Sequence, residues 1–137
     1  MIHVLRYLTL VVPDQDQALA FYTGAMGFEL RQDSRQGGER RLSIGIPGQD
    51  WPQIALQATS VARYGEATHQ RKLAQIGNNP TWVLAVDDCR QLAERMRRHG
   101  GRVLVEAAVG PDGQAALVAD CYGNSWYLVD ERQDLGA

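Results

Sequence analysis

Hydroxyl, amide, phenol and guanidinium side chains alternate with apolar ones along several predicted strands of this 137-residue chain. Because successive side chains of a strand point to opposite faces, the polar set shares one face of its sheet. Convergent polar groups of this kind, with small residues between them to leave room, are typical of sites that bind small molecules. The candidate ligand-binding residues are Tyr7, Thr9, Arg41, Ser43, Gln57, Thr81, Ser125 and Tyr127.

The polar face predicts binding rather than catalysis. No Ser-His-Asp or Cys-His arrangement follows from the spacing, and the three histidines lie far apart, at His3, His69 and His99. We therefore predict no catalytic residue. An ordinary solvent-exposed sheet face is the alternative interpretation. Arg41 is the only charged member of the polar set, which favours an enclosed or partly enclosed cavity.

The opposite face of the same strands is apolar throughout. Its members are large aliphatic or aromatic residues with one alanine, and the two predicted helices carry matching apolar stripes. This set predicts a core packed against helices. It comprises Leu8, Leu10, Val12, Leu42, Ile44, Ile46, Ile54, Leu56, Ala58, Trp82, Leu84, Val86, Trp126 and Leu128.

A strand, a capped helix and a glycine occur twice in the chain. The first copy has a strand over 7–12, Asp14 as the helix N-cap and Gly27 at the helix end. The second has a strand over 81–86, Asp87-Asp88 as the N-cap and Gly100 at the end. Because Asp14 and Gly27 are as far apart as Asp87 and Gly100, the spacing indicates a duplicated unit.

Three further strands follow each helix. They are predicted over 29–35, 41–46 and 53–58 in the first half, and over 102–108, 115–119 and 125–129 in the second, with turns at 37–38, 47–50, 110–113 and 120–124. Each half therefore reads β-α-β-β-β, and the fold class is α+β. We expect a single domain over 1–137, with module one over about 1–58, a linker over about 59–80 that contains a helix near 66–76, and module two over about 81–132.

The composition indicates which partners and which cell compartment to expect. A net charge of −2 gives no reason to expect nucleic acid or an anionic membrane as partner. No apolar run approaches the roughly 20 residues that span a bilayer, and the first residues lack a signal-peptide pattern. Cys89 and Cys121 are far apart with no paired histidine, which fits reduced thiols in the cytoplasm rather than a zinc site.

At this point the sequence resembles the vicinal oxygen chelate superfamily, which includes glyoxalase I, extradiol dioxygenases and bleomycin-resistance proteins. The resemblance rests on Asp14, 18–22 and 27–28 in the first half. In the second half it rests on 86–88, 100–101 and the turn at 120–124, where Cys121 replaces the proline of the family's Asp-Pro-x-Gly-Asn turn. It implies two βαβββ modules whose curved mixed sheets surround a central cavity, often within a homodimer.

The resemblance also implies where a metal would bind. Enzymes of the superfamily hold a divalent metal with His, Glu or Gln at four strand positions. Here these positions correspond to Tyr7, to one of Gln53, Ala55 and Gln57, to Thr81 and to Tyr127. None supplies histidine or a carboxylate, and tyrosine stays protonated to about pH 10. We therefore predict no metal in this position and no cofactor.

Three functions follow from these observations. The first is a metal-free protein of the bleomycin-resistance type that binds a small organic molecule, although Arg41 and a net charge of only −2 do not suit a cationic drug. The alternative is a metal-dependent lyase or dioxygenase of the same superfamily, with ligands from elsewhere. The third is an interaction module whose sheet face docks a protein. A small-molecule ligand and a homodimer are the expected partners.

Overall fold

The computed structural model describes residues 1–111 and 113–130. The chain forms two compact units, the first over Met1–Ile76 and the second starting at Gly77. Each unit contains one four-stranded mixed sheet and a helix that follows its first strand. The α+β class with two βαβββ modules is therefore confirmed. Among the described residues, no helix is both long and apolar enough to cross a membrane.

The first unit is built as the sequence predicts. It contains β1 (Tyr7–Val11), α1 (Gln15–Gly24), β2 (Glu29–Gln36), β3 (Glu39–Gly45) and β4 (Gln53–Gln57). The strand order is β1-β4-β3-β2. The first and last strands of the unit pair in parallel, whereas the other two pairings are antiparallel.

Two short helices complete the first unit. They are α2 (Val61–Tyr64) and α3 (Glu66–Leu73). The sequence predicts only one helix near 66–76. The additional helix α2 begins where the Ser60 side chain accepts a hydrogen bond from the backbone N–H of Arg63, an N-cap that stabilises even a single turn.

The second unit repeats the arrangement. It contains β5 (Trp82–Ala85), α4 (Cys89–Arg98), β6 (Arg102–Gly110), β7 (Gly113–Ala119) and β8 (Ser125–Asp130). The strand order is β5-β8-β7-β6, again with parallel pairing of the first and last strands. Asp112 of the predicted 110–113 turn, and the predicted end of module two beyond 130, lie outside the described residues.

Both predicted N-caps cap their helices. The Asp14 carboxylate accepts a hydrogen bond from the Gln17 N–H at 3.0 Å, and the Asp88 carboxylate accepts one from the Gln91 N–H at 3.0 Å. Gly100 has a φ of 96°, in the left-handed region that favours glycine after a helix. Helix α1 stops at Gly24, earlier than the predicted end.

The apolar strand face packs against α1. Leu10, Ile44 and Leu56 are almost completely buried, together with Tyr22 and Ala18 of the helix. Burying a large aliphatic or aromatic side chain contributes about 1.5–3 kcal/mol, so this layer stabilises the first unit. The second unit has an equivalent core of Trp126, Leu128, Val118, Cys89, Ala93 and Met96.

The prediction that Ala58 belongs to the core is wrong. Ala58 is exposed, because β4 ends one residue earlier, at Gln57, and the chain leaves the sheet at that point.

The turn at 120–124 is held together by its own side chains. The buried Asp120 carboxylate accepts hydrogen bonds from the backbone N–H groups of Tyr122 and Asn124 and from the Asn124 side-chain amide. The Asn124 side-chain oxygen accepts a further bond from the Gly77 N–H at 2.9 Å. The turn therefore fixes the start of β8 at Ser125.

Removing either N-cap is expected to destabilise the protein. Asp14→Ala and Asp88→Ala should each lower the free energy of unfolding by about 1 kcal/mol, because each leaves helix N–H groups without an acceptor. Urea unfolding of the full chain measures the change. Asp87→Ala is the control, since Asp87 precedes the cap and is exposed, and its effect should stay within about 0.5 kcal/mol. Equal losses in all three variants would contradict the assignment.

Candidate functional site

A cavity of about 240 Å³ lies on the polar sheet face of the first unit. It brings together all five ligand-binding candidates of this unit, which come from three adjacent strands. The residues of these three strands that line the cavity are Tyr7, Thr9, Glu39, Arg40, Arg41, Leu42, Ser43, Ala55, Leu56 and Gln57.

Strand register explains the shape of this cavity. Thr9 of β1 is paired with Ala55 of β4, and Ala55 is paired in turn with Ser43 of β3. A row of three small side chains therefore crosses the middle of the sheet. Larger side chains lie on both sides of the row, with Tyr7 toward one end of β1 and Gln57 toward the end of β4. The small row leaves the space that the larger ones border.

Three side chains of the cavity have hydrogen-bonding groups to offer a ligand. Within residues 1–111 and 113–130, the Tyr7 hydroxyl, the Thr9 hydroxyl and the Arg41 guanidinium make no hydrogen bond or ion pair. All three residues are exposed. Together they present two hydroxyl groups and one positive charge toward the cavity.

Ser43, by contrast, is already engaged. Its side chain is buried, and its hydroxyl donates a hydrogen bond to the Gln53 side-chain oxygen at 2.8 Å. The hydroxyl oxygen still has acceptor capacity. Ser43 therefore contributes to the floor of the cavity, and Gln53 fixes the orientation of its hydroxyl.

Gln57 is held by the segment that follows β4. The Lys72 ammonium of α3 donates a hydrogen bond to the Gln57 side-chain oxygen at 2.6 Å. The same ammonium lies 4.7 Å from the centre of the Tyr64 ring, within the range of a cation–π interaction. The sequence does not predict Lys72 or Tyr64 as ligand-binding residues, because the linker sequence does not reveal which strand its helices contact.

An aromatic pair borders the other end of the cavity. Tyr7 and Trp51 meet edge to face, with ring centres 5.7 Å apart. The Arg6 guanidinium lies 5.1 Å from the centre of the Trp51 ring. These contacts fix the ring of Tyr7 while leaving 43% of the residue exposed.

Arg40 is a structural neighbour of the cavity rather than a free cation. Its guanidinium donates two hydrogen bonds to the Asp33 carboxylate at 2.9 Å and a third to the Asp16 carboxylate at 2.6 Å. The Arg40 hydrogen bond lowers the pKa of Asp33. These bonds join β2 and β3 to the first turn of α1.

The three candidates of the second unit lie in or next to β5 and β8. The Thr81 and Ser125 hydroxyls are 2.6 Å apart and hydrogen-bonded to each other. Tyr127 is 40% exposed and is paired with Val83 on one side and Leu117 on the other. The sheet face of this unit is therefore mainly apolar, with one phenol.

The residues at the family's metal positions do not suit a divalent ion. Of the three possible residues in β4, Gln53 is bonded to Ser43, Ala55 has no donor atom, and Gln57 already accepts from the Lys72 ammonium. The positive charge of Lys72 at the Gln57 side-chain oxygen would also repel a metal cation at the same oxygen. In the described part of the chain, no three His, Cys, Asp or Glu side chains cluster as metal ligands would.

Neither cysteine has the surroundings of a nucleophile. Cys89 is buried, and burial together with the nearby Asp130 carboxylate raises the pKa of its thiol to about 11. Burial also raises the pKa of the Cys121 thiol. Both thiols therefore stay protonated near neutral pH, whereas a reactive cysteine needs a lowered pKa.

Known proteins with this architecture were found by structure and by sequence. UcmS2 has 32% identity and a TM-score of 0.81, covering 93% of this chain and 98% of its own. TnmS3, an antibiotic-binding protein from Streptomyces sp. CB03234, is similar in fold, with 24% identity, a TM-score of 0.68 and coverage of 96% and 97%. An uncharacterised protein of Shewanella frigidimarina is 27% identical over 125 residues, 90% of each chain.

A family model matches almost the whole described chain. The match runs over residues 3–128 and so includes both units, both capped helices and the turn at 120–124. The chain therefore belongs to the Glyoxalase/Bleomycin resistance protein/Dioxygenase superfamily.

Proposed function

We propose that this protein binds a small organic molecule on the polar sheet face of its first unit, without a metal or another cofactor. The observation that carries the proposal is the cavity of about 240 Å³, toward which Tyr7, Thr9 and Arg41 present hydrogen-bonding groups that no described residue uses. Polar groups that converge on a cavity and lack internal partners are what ligand recognition requires.

The neighbouring side chains support a defined ligand orientation. Ser43 is fixed by Gln53, and Gln57 is fixed by Lys72, so both polar groups have set directions before a ligand arrives. Binding to groups that are already ordered avoids part of the entropy loss of association. The Tyr7 ring, held by Trp51, offers a flat surface at the other end.

The size of the cavity limits what binds to this unit. Sites for drug-sized ligands usually measure about 300–1,000 Å³. A cavity of about 240 Å³ fits a compact molecule or one ring system of a larger molecule. TnmS3, with a similar fold, is an antibiotic-binding protein. Small organic ligands are therefore compatible with this architecture.

The proposal extends to the second unit and to assembly. We retain Thr81, Ser125 and Tyr127 as proposed ligand-binding residues, since Tyr127 offers an exposed phenol. We also propose a homodimer in the cytoplasm. An exposed apolar row that includes Val83 and Val105 supports association through the second unit, and two free cysteines fit a reducing compartment.

Filling the cavity is expected to weaken binding. Thr9→Trp places an indole over Ala55 in the middle of the small row, so any ligand found by thermal-shift screening of organic molecules should bind at least about tenfold more weakly, a loss of roughly 1.4 kcal/mol. Calorimetric titration measures the affinity. With wild type, a ligand at 100 times its Kd should add about 2.7 kcal/mol of stability.

Ala20→Trp is the matched control for this variant. Ala20 is exposed on α1, on the other side of the same sheet, so its indole should leave the affinity unchanged. Unchanged binding by Thr9→Trp, or equal losses in both variants, would place the ligand elsewhere.

The protein is expected to purify without a stoichiometric divalent metal. Tyrosine hydroxyls and amides already bonded to Ser43 and Lys72 hold such an ion poorly at neutral pH. Elemental analysis of protein prepared without chelator tests this. Stoichiometric zinc, nickel or iron, together with lactoylglutathione formation or catechol cleavage, would establish the lyase or dioxygenase function instead.

A further inference from the structure

We propose that the ligand of the first unit carries an anionic group, a carboxylate or an ionised phenol or enol, and that Lys72 and Arg41 bind this group. The inference rests on the proposed function, because it concerns the same cavity. It adds a residue from the linker, Lys72, and a chemical class for the ligand.

The ammonium of Lys72 is held in place without being neutralised. Its partners are the uncharged Gln57 oxygen at 2.6 Å and the face of the Tyr64 ring at 4.7 Å. It makes no ion pair within residues 1–111 and 113–130. Gln57 lines the cavity, and the Lys72 ammonium is bonded to its side-chain oxygen, so the charge of Lys72 lies one hydrogen bond behind the lining.

Arg41 places a second positive charge at the same end. β3 and β4 are antiparallel with Ser43 opposite Ala55, so Arg41, two residues before Ser43 on the same face of β3, lies toward the Gln57 end of β4. Both residues line the cavity. Arg41 is exposed and makes no ion pair with any described residue.

The carboxylates near this end already form ion pairs with arginine side chains. Glu39 lines the cavity, but its carboxylate is paired with the Arg63 guanidinium. Asp33 and Asp16 are paired with Arg40. Among the described residues, the lining of the cavity carries no unpaired carboxylate, so the two nearby cations attract an anion and repel a cation.

The two ends of the cavity therefore differ in chemistry. Tyr7 is paired with Gln53, and Gln57 with Val11, so the aromatic end and the cationic end are four residues apart along β1, about 13 Å. A flat ring system whose acidic group points toward Gln57 satisfies both ends. The ligand class is thus a planar aromatic acid or acidic phenol.

A pair of probes that differ only in charge tests the inference. The probes are 2-naphthoate and 2-naphthamide. Calorimetric titration of the full chain at low and high salt measures the Kd of each probe. The acid should bind about tenfold more tightly than the amide, because a hydrogen bond to a charged group is stronger than a neutral one. Salt should weaken binding of the acid and leave the amide unchanged.

Lys72 variants assign the preference to this residue. Lys72→Met should weaken binding of the acid far more than binding of the amide and so remove most of the preference for the acid, and Lys72→Arg should restore this preference in part. Arg71→Met is the matched control, since Arg71 lies next in sequence on α3 and its guanidinium donates a hydrogen bond to the Thr68 hydroxyl rather than to Gln57. It removes the same net charge and should leave both Kd values unchanged.

The possible results separate the two proposals. Equal binding of acid and amide, or a parallel loss of both in Lys72→Met, would overturn the anionic class while leaving small-molecule binding intact. Absence of binding by both probes and by a broad organic panel would overturn both. Circular dichroism of each variant confirms that the fold is retained.

Discussion

Side-chain alternation in the first sheet is the constraint on which the site depends. Parallel pairing of β1 with β4 and antiparallel pairing of β3 with β4 put Leu10, Leu56 and Ile44 on the face that packs against α1. The same pairings necessarily put Thr9 and Ala55 on the other face. A register shift of one residue would expose the core and bury the polar row, so folding energy and site geometry are set by one arrangement.

The features that repeat in the chain could be predicted from the sequence. Asp14 and Asp88 cap their helices because an N-cap depends on local geometry, which a short sequence pattern encodes. The eight strands within residues 1–111 and 113–130 follow from period-two patterning and turn residues. The family assignment rests on the order of these elements rather than on any single motif.

The details of the site depend on contacts that sequence patterns do not encode. Lys72 and Tyr64 belong to a polar linker without a strong period, and their roles arise from where α2 and α3 pack. Ser43 appears in the sequence as one more hydroxyl, but its pairing with Gln53 follows from the tertiary fold. The need for glycine at position 45 is also invisible in the sequence pattern. It follows from the tertiary fold, where a Cβ at Gly45 would lie 2.9 Å from the Arg31 guanidinium.

We propose that side-chain groups on one sheet face bind the ligand of this protein without a metal. An NMR footprint of 2-naphthoate on the ¹⁵N-labelled protein tests this most directly. The account predicts that the largest amide shifts cluster at Thr9, Ser43, Ala55 and Gln57, on the polar face of the first unit. The second unit has a separate cavity between α4 and β6, lined in part by Arg90 and Glu106. Shifts confined to the helices, or to this second cavity, would contradict the proposal.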